Sequence, residues 1–461
     1  MTQTHIFEKS ILQAYDIRGV VGKNLSNKDA YFIGKGYGTW LRNHNKKSCA
    51  LGYDGRHTSV AYSQEVTKGL NECGIDVINV GLAPTPMVYF GMKHLNTDAG
   101  IIITASHNPS EYNGFKMLTQ EGPVWGNDIL ELGKIAEKGN FINGAGISKK
   151  EDIKEIYLNF LMKAFTKGTK EPSVVWDAGN GSAGAVLDDL IARLPGRHKT
   201  IFADVDADFP NHHPDPSIAK NMQDLKKEVL DGGYDYGVAF DGDGDRLGVV
   251  DNKGFILYGD QLLVVLARDF LKKNVGAKVM SEVKASVTLY NDIKKNGGVP
   301  VMWKPGHSAI KDKMAEDNIM LAGETSGHMY YGENHNFDDA LYASIKLLDI
   351  MNKSNETIAE IRESLPETFS TREIRLTVGD DKKFTIPKEI AKRFEKSRRD
   401  FVGVDGVRAN LKEGWWIVRA SNTQPDLTTR CEALSKEGLE VVKNDLKEQL
   451  GLSSVEIEFE E

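Results

Sequence analysis

Three stretches of the chain repeat one design, and that repetition constrains the fold more than any other feature. Each is an apolar, strand-like run ending in a polar turn. C-A-L-G-Y-D-G-R-H-T places Asp54 and Arg56 past its run, S-V-V-W-D-A-G-N-G-S-A-G places Asp177, and K-V-M-S-E-V-K-A-S places Glu282 and Lys284. A helix-like segment and a second strand candidate follow each: D-V-I-N-V-G, T-I-F-A-D-V-D and V-P-V-M-W-K-P-G. Strands alternating with helical patterns imply βαβ units and a mainly parallel sheet. The reading is three α/β domains of one plan. From about Thr371 the pattern changes: T-R-E-I-R-L-T-V reads as a strand, K-E-I-A-K-R-F-E-K-S-R-R-D as a charged helix, then a hairpin about Lys412, Glu413 and Gly414, then a last helix. This α+β tail completes a division into residues 1–148, 149–256, 257–368 and 369–461.

Bulk properties narrow the function classes. A length of 461 residues with 40% hydrophobic and 27% charged side chains suits a multidomain globular protein with a sizeable core. A net charge of −8 and a pI near 5.9 argue against a nucleic-acid surface, local basic clefts aside. Cys49, Cys73 and Cys431 are scattered without a C-x-x-C, as expected of reduced thiols rather than disulfides or a zinc site. The start M-T-Q-T-H-I-F-E-K-S has no signal-peptide pattern, and the apolar run L-L-V-V-L-A is far short of the ~20 residues that cross a bilayer. The expectation is a cytoplasmic protein with a small-molecule substrate, no nucleic-acid partner and no membrane association; a monomer is compatible with the sequence.

The strongest local signal is F-D-G-D-G-D-R, residues 240–246, between Y-G-V-A-F and L-G-V-V-D. Near-extended backbone points Asp241, Asp243 and Asp245 the same way, and the intervening glycines let the loop curl around one hard cation. Oxygen-only ligation suits Mg²⁺. An EF-hand needs Gly at its sixth position and Glu at its twelfth, where this chain has Arg246 and Asn252. A solvated acidic hairpin is the bland alternative.

Other loops are less specific alone. In I-I-I-T-A-S-H-N-P, Ser106 lies just past a buried strand, where α/β sheets expose chemistry. Ser106 and His107, adjacent in sequence, are poorly placed to serve each other as nucleophile and base, and no G-x-S-x-G elbow is present. Gly179, Gly181 and Gly184 with Asp204 downstream satisfy a dinucleotide fingerprint, though a strand-to-helix turn explains them as well. G-E-T-S-G-H, residues 323–328, offers groups suited to sugar hydroxyls, with Glu324 as bidentate acceptor. R-A-S-N-T-Q-P, residues 419–425, combines Arg419 with Ser421, Asn422 and Thr423 in a candidate phosphate cradle.

Together and in order, Y-D-I-R-G-V, T-A-S-H-N-P, N-G-F-K, D-G-D-G-D-R, K-P-G-H-S, G-E-T-S-G-H and R-A-S-N-T-Q-P resemble the α-D-phosphohexomutase superfamily, most closely its bacterial phosphomannomutase/phosphoglucomutase branch. The match spans essentially the whole chain. The resemblance implies a heart-shaped protein, three related mixed-sheet α/β domains and a C-terminal α+β domain around a central cleft. It implies an isomerase interconverting hexose 1-phosphate and hexose 6-phosphate through hexose 1,6-bisphosphate. Ser106 matches the phosphoserine; Asp241, Asp243 and Asp245 match the Mg²⁺ ligands, completed by the Ser106 phosphate; Arg246 matches the residue supporting the phosphoserine. Glu324 and Ser326 match the contacts to sugar hydroxyls. Arg419, Ser421, Asn422 and Thr423 match the loop holding the non-reacting phosphate. Tyr15, Arg18, Lys116, Lys284, His307 and His328 match other cleft positions.

Phosphoryl transfer depends on charge neutralisation and in-line positioning. Lys116 or Arg18 could move the proton of the accepting hydroxyl; the base remains open between them. The bisphosphorylated sugar has to turn around in the cleft, and the fourth domain fits a lid that excludes water. Thr325 departs from the Met usual in this branch and from the Gln usual in phosphoglucosamine mutases. The phosphate loop and His328 favour mannose and glucose phosphates, with glucosamine as the same-class alternative. An NAD-dependent oxidoreductase using the Gly179 loop and a non-catalytic phosphosugar sensor are the readings from other classes.

Overall fold

A computed structural model describes residues 4–421 and 425–459. Its first three sheets realise the sequence repeat strand for strand. The repeated apolar runs form Ser48–Tyr53, Val174–Asp177 and Lys278–Glu282. Each lies between two parallel neighbours: Asp76–Leu82 and Ala99–Ile103, His198–Ile201 and Tyr236–Phe240, Val299–Trp303 and Leu321–Gly323. An antiparallel strand then follows the third strand in each sheet: Tyr112–Thr119, Leu247–Asp251 and Met329–Tyr331. An outer antiparallel strand completes each set: Ile17–Val20, Ile256–Leu257 and Phe337–Asp338. The sheets are therefore mixed, as the resemblance implies: four parallel strands in the first, Ser148–Lys150 included, and three in each of the others are flanked by an antiparallel pair. The repeats bring the chain back beside its third strand by a short turn, and a two-way turn forces antiparallel pairing.

That topology decides where chemistry can sit. The turn from third to fourth strand is residues 104–111 in the first sheet, 241–246 in the second and 324–328 in the third. Ser106, the three aspartates and the sugar-loop motif thus occupy one structural position, three times over. Each turn leaves the C-terminal end of a parallel strand, the rim where open α/β sheets place ligands.

The fourth sheet is antiparallel throughout, with Asp426–Ala433 central among Phe369–Ser370, Ile374–Thr377 and Gly414–Ala420. The expected hairpin is present, Val407–Asn410 pairing with Gly414–Ala420, and helices Thr385–Ser397 and Lys436–Gly451 follow the sequence reading. Among the described residues no helix is long and apolar enough to cross a membrane.

Candidate active site

Strand Ala99–Ile103 is buried along its whole length, and the chain leaves it into a tight loop. Ser106 sits there with φ +51°, a left-handed backbone uncommon for a residue with a side chain. Its amide donates to Thr104 Oγ1 at 2.8 Å, and its hydroxyl donates to Asp241 Oδ2 at 2.7 Å. His107 Nδ1 lies 3.1 Å from the same hydroxyl. The adjacent side chains touch, but the Ser106 hydroxyl proton is directed to Asp241, so the contact does not make His107 its base. Burial, with Arg246 and Arg18 nearby, pushes the His107 pKa well below its ordinary value.

Asp241, Asp243 and Asp245 are fully buried, and one ligand oxygen from each lies within 4.8 Å of the others. Much of each carboxylate is tied down. Asp241 Oδ1 accepts the amides of Asp245 and Arg246 at 3.0 and 3.1 Å. Lys116 Nζ donates to Asp243 Oδ2 at 2.7 Å and Asp245 Oδ2 at 2.5 Å, and Thr85 Oγ1 donates to Asp243 Oδ2 at 2.6 Å. What remains is Oδ1 of Asp243 and of Asp245, buried with no hydrogen-bond partner. Burying such oxygens unsatisfied is costly, and a hard cation is the partner their chemistry fits. Charge crowding agrees. Burial and then its two neighbours push Asp241 well above the usual carboxylate range, while against burial the Lys116 ammonium holds Asp243 well below it.

The metal loop and the sugar loop are joined directly. Arg246 and His328 face each other in an antiparallel bridge, and Arg246 Nε donates to His328 Nε2 at 3.1 Å. His328 Nδ1 then lies 3.2 Å from Asp338 Oδ2. Lys311 pairs with Asp338 at 2.5 Å. The N-cap contact of Asp339, which accepts the Tyr342 amide at 2.8 Å, anchors the strand-to-helix corner carrying Asp338.

Glu324 is 3% exposed, and both its oxygens accept from the protein, Oε1 from the Gly306 amide at 2.7 Å and Oε2 from Tyr330 at 2.5 Å. A carboxylate has lone pairs to spare for a sugar hydroxyl, but it is not the free acceptor expected. Thr325 turns inward, its hydroxyl and amide donating to Glu282 Oε1. Ser326 beside it is half-buried. Lys284 Nζ lies 3.6 Å from Glu282 Oε2.

Arg18 donates to Asp16 and to Asn108 Oδ1, the latter at 2.5 Å. Tyr15 donates to Pro305 O at 3.2 Å, its ring 6.3 Å from that of His307, which is 6.0 Å from His328. A cavity of about 230 Å³ lined in part by Tyr15, Lys116, His307 and Lys311 opens between the first and third domains. Arg419 pairs with Asp405 at 2.6 Å, and against burial the carboxylates of Asp405 and Glu282 raise its pKa. The Ser421 amide donates to Asp426 O at 2.8 Å. Asn422 and Thr423 lie outside the described residues.

The Gly179 loop is spent internally. Gly179 N donates to Asp177 Oδ1, Asn180 N to Phe202 O, Gly181 N to Ala178 O and Ser182 N to Gly242 O. A side chain at Gly181 would press on the Gly242 carbonyl oxygen at 2.8 Å. Gly181 packs against the metal loop, Gly179 against His212 and Pro214 and Gly184 against Ala203, and the amides of the loop are taken up by these internal bonds.

Several residues that shape the site were not among the sequence candidates: Arg56, Thr85, His107, Lys311 and Asp338. Only Arg56 carried a signal, its place just beyond the first repeated run.

The comparisons agree across the chain. Models of the phosphoglucomutase/phosphomannomutase family match residues 9–142 (α/β/α domain I), 152–254 (domain II), 258–369 (domain III) and 373–449 (C-terminal domain). A phosphomannomutase/phosphoglucomutase of Pseudomonas aeruginosa is 39% identical over 442 residues, 96% of this chain and 95% of the relative. A phosphoglucomutase of Neisseria gonorrhoeae is 38% identical over 444 residues, 95% of this chain and 96% of the relative. A crystal structure of a phosphoglucomutase/phosphomannomutase family protein from Burkholderia thailandensis superposes with a TM-score of 0.92 at 34% identity, covering 97% of this chain and 98% of that one. With all four domain models in order and relatives of this identity over nearly its full length, this chain belongs to the phosphoglucomutase/phosphomannomutase family.

Proposed function

We propose that this protein interconverts hexose 1-phosphates and hexose 6-phosphates, with mannose and glucose as the sugars, by passing a phosphoryl group to and from Ser106 through a hexose 1,6-bisphosphate. One observation carries the reading: the Ser106 hydroxyl shares Asp241 with a buried aspartate triad that has two unpartnered oxygens. The relatives, a phosphomannomutase/phosphoglucomutase and a phosphoglucomutase, support the sugar assignment.

In this reading Asp241, Asp243 and Asp245 hold Mg²⁺ together with the Ser106 phosphate. A bound Mg²⁺ supplies charge neutralisation to the transferring group. Arg246, oriented by His328, adds a guanidinium on the phosphoserine side. Lys116, fixed on Asp243 and Asp245, or Arg18, fixed on Asp16 and Asn108, assists proton transfer at the accepting hydroxyl. Glu324 and Ser326 take the sugar hydroxyls. Tyr15, Lys284 and His307 line the path, and Arg419, Ser421, Asn422 and Thr423 grip the phosphate that is not reacting. The cytoplasmic setting and the division at residues 148, 256 and 368 belong to the same proposal.

The test is a substrate panel. Purified protein with Mg²⁺ and a trace of hexose 1,6-bisphosphate converts mannose 1-phosphate and glucose 1-phosphate to the 6-phosphates. Faster turnover of glucosamine 1-phosphate would reassign the sugar, and no turnover of any of the three would overturn the proposal.

A further inference from the structure

We propose that Arg56 is the positioning residue of the Ser106 loop, its guanidinium holding the loop backbone in the conformation that aims Ser106 at the aspartate triad. The inference rests on the phosphoserine reading above.

A guanidinium carries five N–H donors in a planar fork, and all five are used here. Nε donates to Asp54 Oδ2 at 3.1 Å. Nη1 donates to Pro109 O at 2.6 Å and Tyr112 O at 3.0 Å, and Nη2 to Ser106 O at 2.8 Å and Asn108 O at 2.6 Å. Four of the five donors thus end on carbonyls between residues 106 and 112. One side chain holds three carbonyls of the turn that carries the candidate nucleophile and the first carbonyl of the strand that follows it.

Asp54 fixes the guanidinium from behind, accepting also the Arg56 amide at 3.1 Å and Ser59 Oγ at 2.6 Å. Arg56 is only 3% exposed. The second domain helps to cover it, the Phe209 ring centroid lying 5.4 Å from the guanidinium carbon. Water is therefore poorly placed to replace the four bonds.

The left-handed φ of Ser106 shows why such a clamp is needed. A strained backbone persists where its surroundings over-determine it. Here Thr104 holds the Ser106 amide and Arg56 holds its carbonyl. Without the second hold, the peptide after Ser106 is free to rotate, and both the hydroxyl and His107 move with it. A phosphoryl carrier has to return to one place in both half-reactions, and a displacement of ~1 Å can cost about 100-fold in rate. Lysine, a point charge with three donors, cannot reproduce a four-carbonyl fork.

The experiment compares the native chain with Arg56→Ala, Arg56→Lys and Asp54→Asn, reading kcat, KM, melting temperature and phosphate on Ser106 in the same preparations. Arg56→Ala is expected to lower kcat about 100-fold with KM for the sugar phosphate little changed. Millimolar guanidinium should restore part of that kcat without moving the melting temperature. Arg56→Lys, which keeps the charge and carries the test where Arg56→Ala fails to fold, is expected to lose more kcat than Asp54→Asn, which leaves the four carbonyl bonds in place. A folded Arg56→Ala or Arg56→Lys protein with native kcat overturns the proposal. So does a loss shared equally by KM, or one that guanidinium does not relieve. No turnover and no Ser106 phosphate in the native chain would instead overturn the phosphoserine reading.

Discussion

One apolar core runs from Met87 and Phe90 in the first domain through Trp176 and Phe240 in the second to Leu263 and Leu341 in the third, beside a separate core within each of these domains, whereas the fourth domain's core around Phe394 and Trp416 is confined to that domain. The two bodies meet mainly over residues 283–287. Arg408, fully buried, donates to Val283 O at 2.6 Å and Ala285 O at 2.8 Å while stacking on Trp415 at 3.8 Å. Glu432 accepts from Ser286 Oγ, the Val287 amide and Trp415 Nε1 at 2.8, 3.1 and 2.9 Å. Only a small apolar cluster of Val283, Trp415 and Ile417 backs these bonds. The residues proposed to perform the chemistry are therefore built on the first three domains, and the proposed phosphate-gripping loop belongs to the domain attached through these bonds. Relative motion is the default across an interface of that kind, which suits a sugar that presents first one end and then the other.

Separating the two bodies by mutation gives the largest effect. Ser106→Ala is expected to abolish turnover and Ser106 phosphorylation while hexose 6-phosphate still binds, measured by calorimetry. Arg419→Ala should do the reverse, weakening binding while Ser106 still accepts phosphate from hexose 1,6-bisphosphate. If both changes hit binding and phosphorylation alike, the comparison fails.

Next in size is the metal. Asp243→Asn, or chelation of the native chain, is expected to lower kcat by roughly 100-fold or more, since a bound cation contributes several kcal/mol of transition-state charge stabilisation. Added Mg²⁺ should reverse the chelation and leave the substitution uncorrected.

The latch gives a smaller effect of a different kind. Burial pushes the Arg408 pKa down only to about 10, so its charge persists at neutral pH. Arg408→Ala leaves the Val283 and Ala285 carbonyls without this donor, a cost of about 1–3 kcal/mol for each. The expected result is a raised KM and faster proteolysis between the third and fourth domains, with Ser106 phosphorylation retained.

The smallest effect lies within the shared core. His212 Nε2 meets the buried Asp177 carboxylate at 3.0 Å. Burial opposes the charge, yet the Asp177 bond raises the His212 pKa above its ordinary value. A raised histidine stabilises the fold fully below its unfolded pKa, near 6.5, and loses that contribution as pH climbs through the folded value. His212→Gln should therefore cost about 1–2 kcal/mol at pH 6 and less at pH 8, read from urea unfolding.

Much of this was legible in the chain. The three repeated runs became the three central strands, and the aspartates, Ser106, Lys116 and Arg246 converge as their motifs suggested. The rest shares a cause. The antiparallel pair in each sheet, the common position of the Ser106, aspartate and sugar loops, and the turning-in of Thr325 onto Glu282 depend on how the third strand hands over to the fourth, which apolar periodicity does not record. The closeness of His107 to Ser106 was not legible because a left-handed Ser106 cannot be seen in residue types. Asp338, Lys311 and Thr85 reach the site from neighbouring domains and have no motif. Arg56 and Glu282 did leave a trace, Arg56 three residues past its run at Tyr53 and Glu282 at the end of its own, and each braces a neighbouring loop, Arg56 the Ser106 turn and Glu282 the amide and hydroxyl of Thr325.

The central claim is that Ser106 carries the phosphoryl group between two orientations of one sugar. The direct measurement is a single-turnover transfer: the protein is charged with hexose 1,6-bisphosphate, freed of sugar, mixed with mannose 6-phosphate, and followed by peptide mass spectrometry. The account predicts one phosphoryl group on the peptide containing Ser106, lost as mannose 1,6-bisphosphate appears. Phosphate on another residue, or phosphate on Ser106 that stays when the sugar is added, would contradict it.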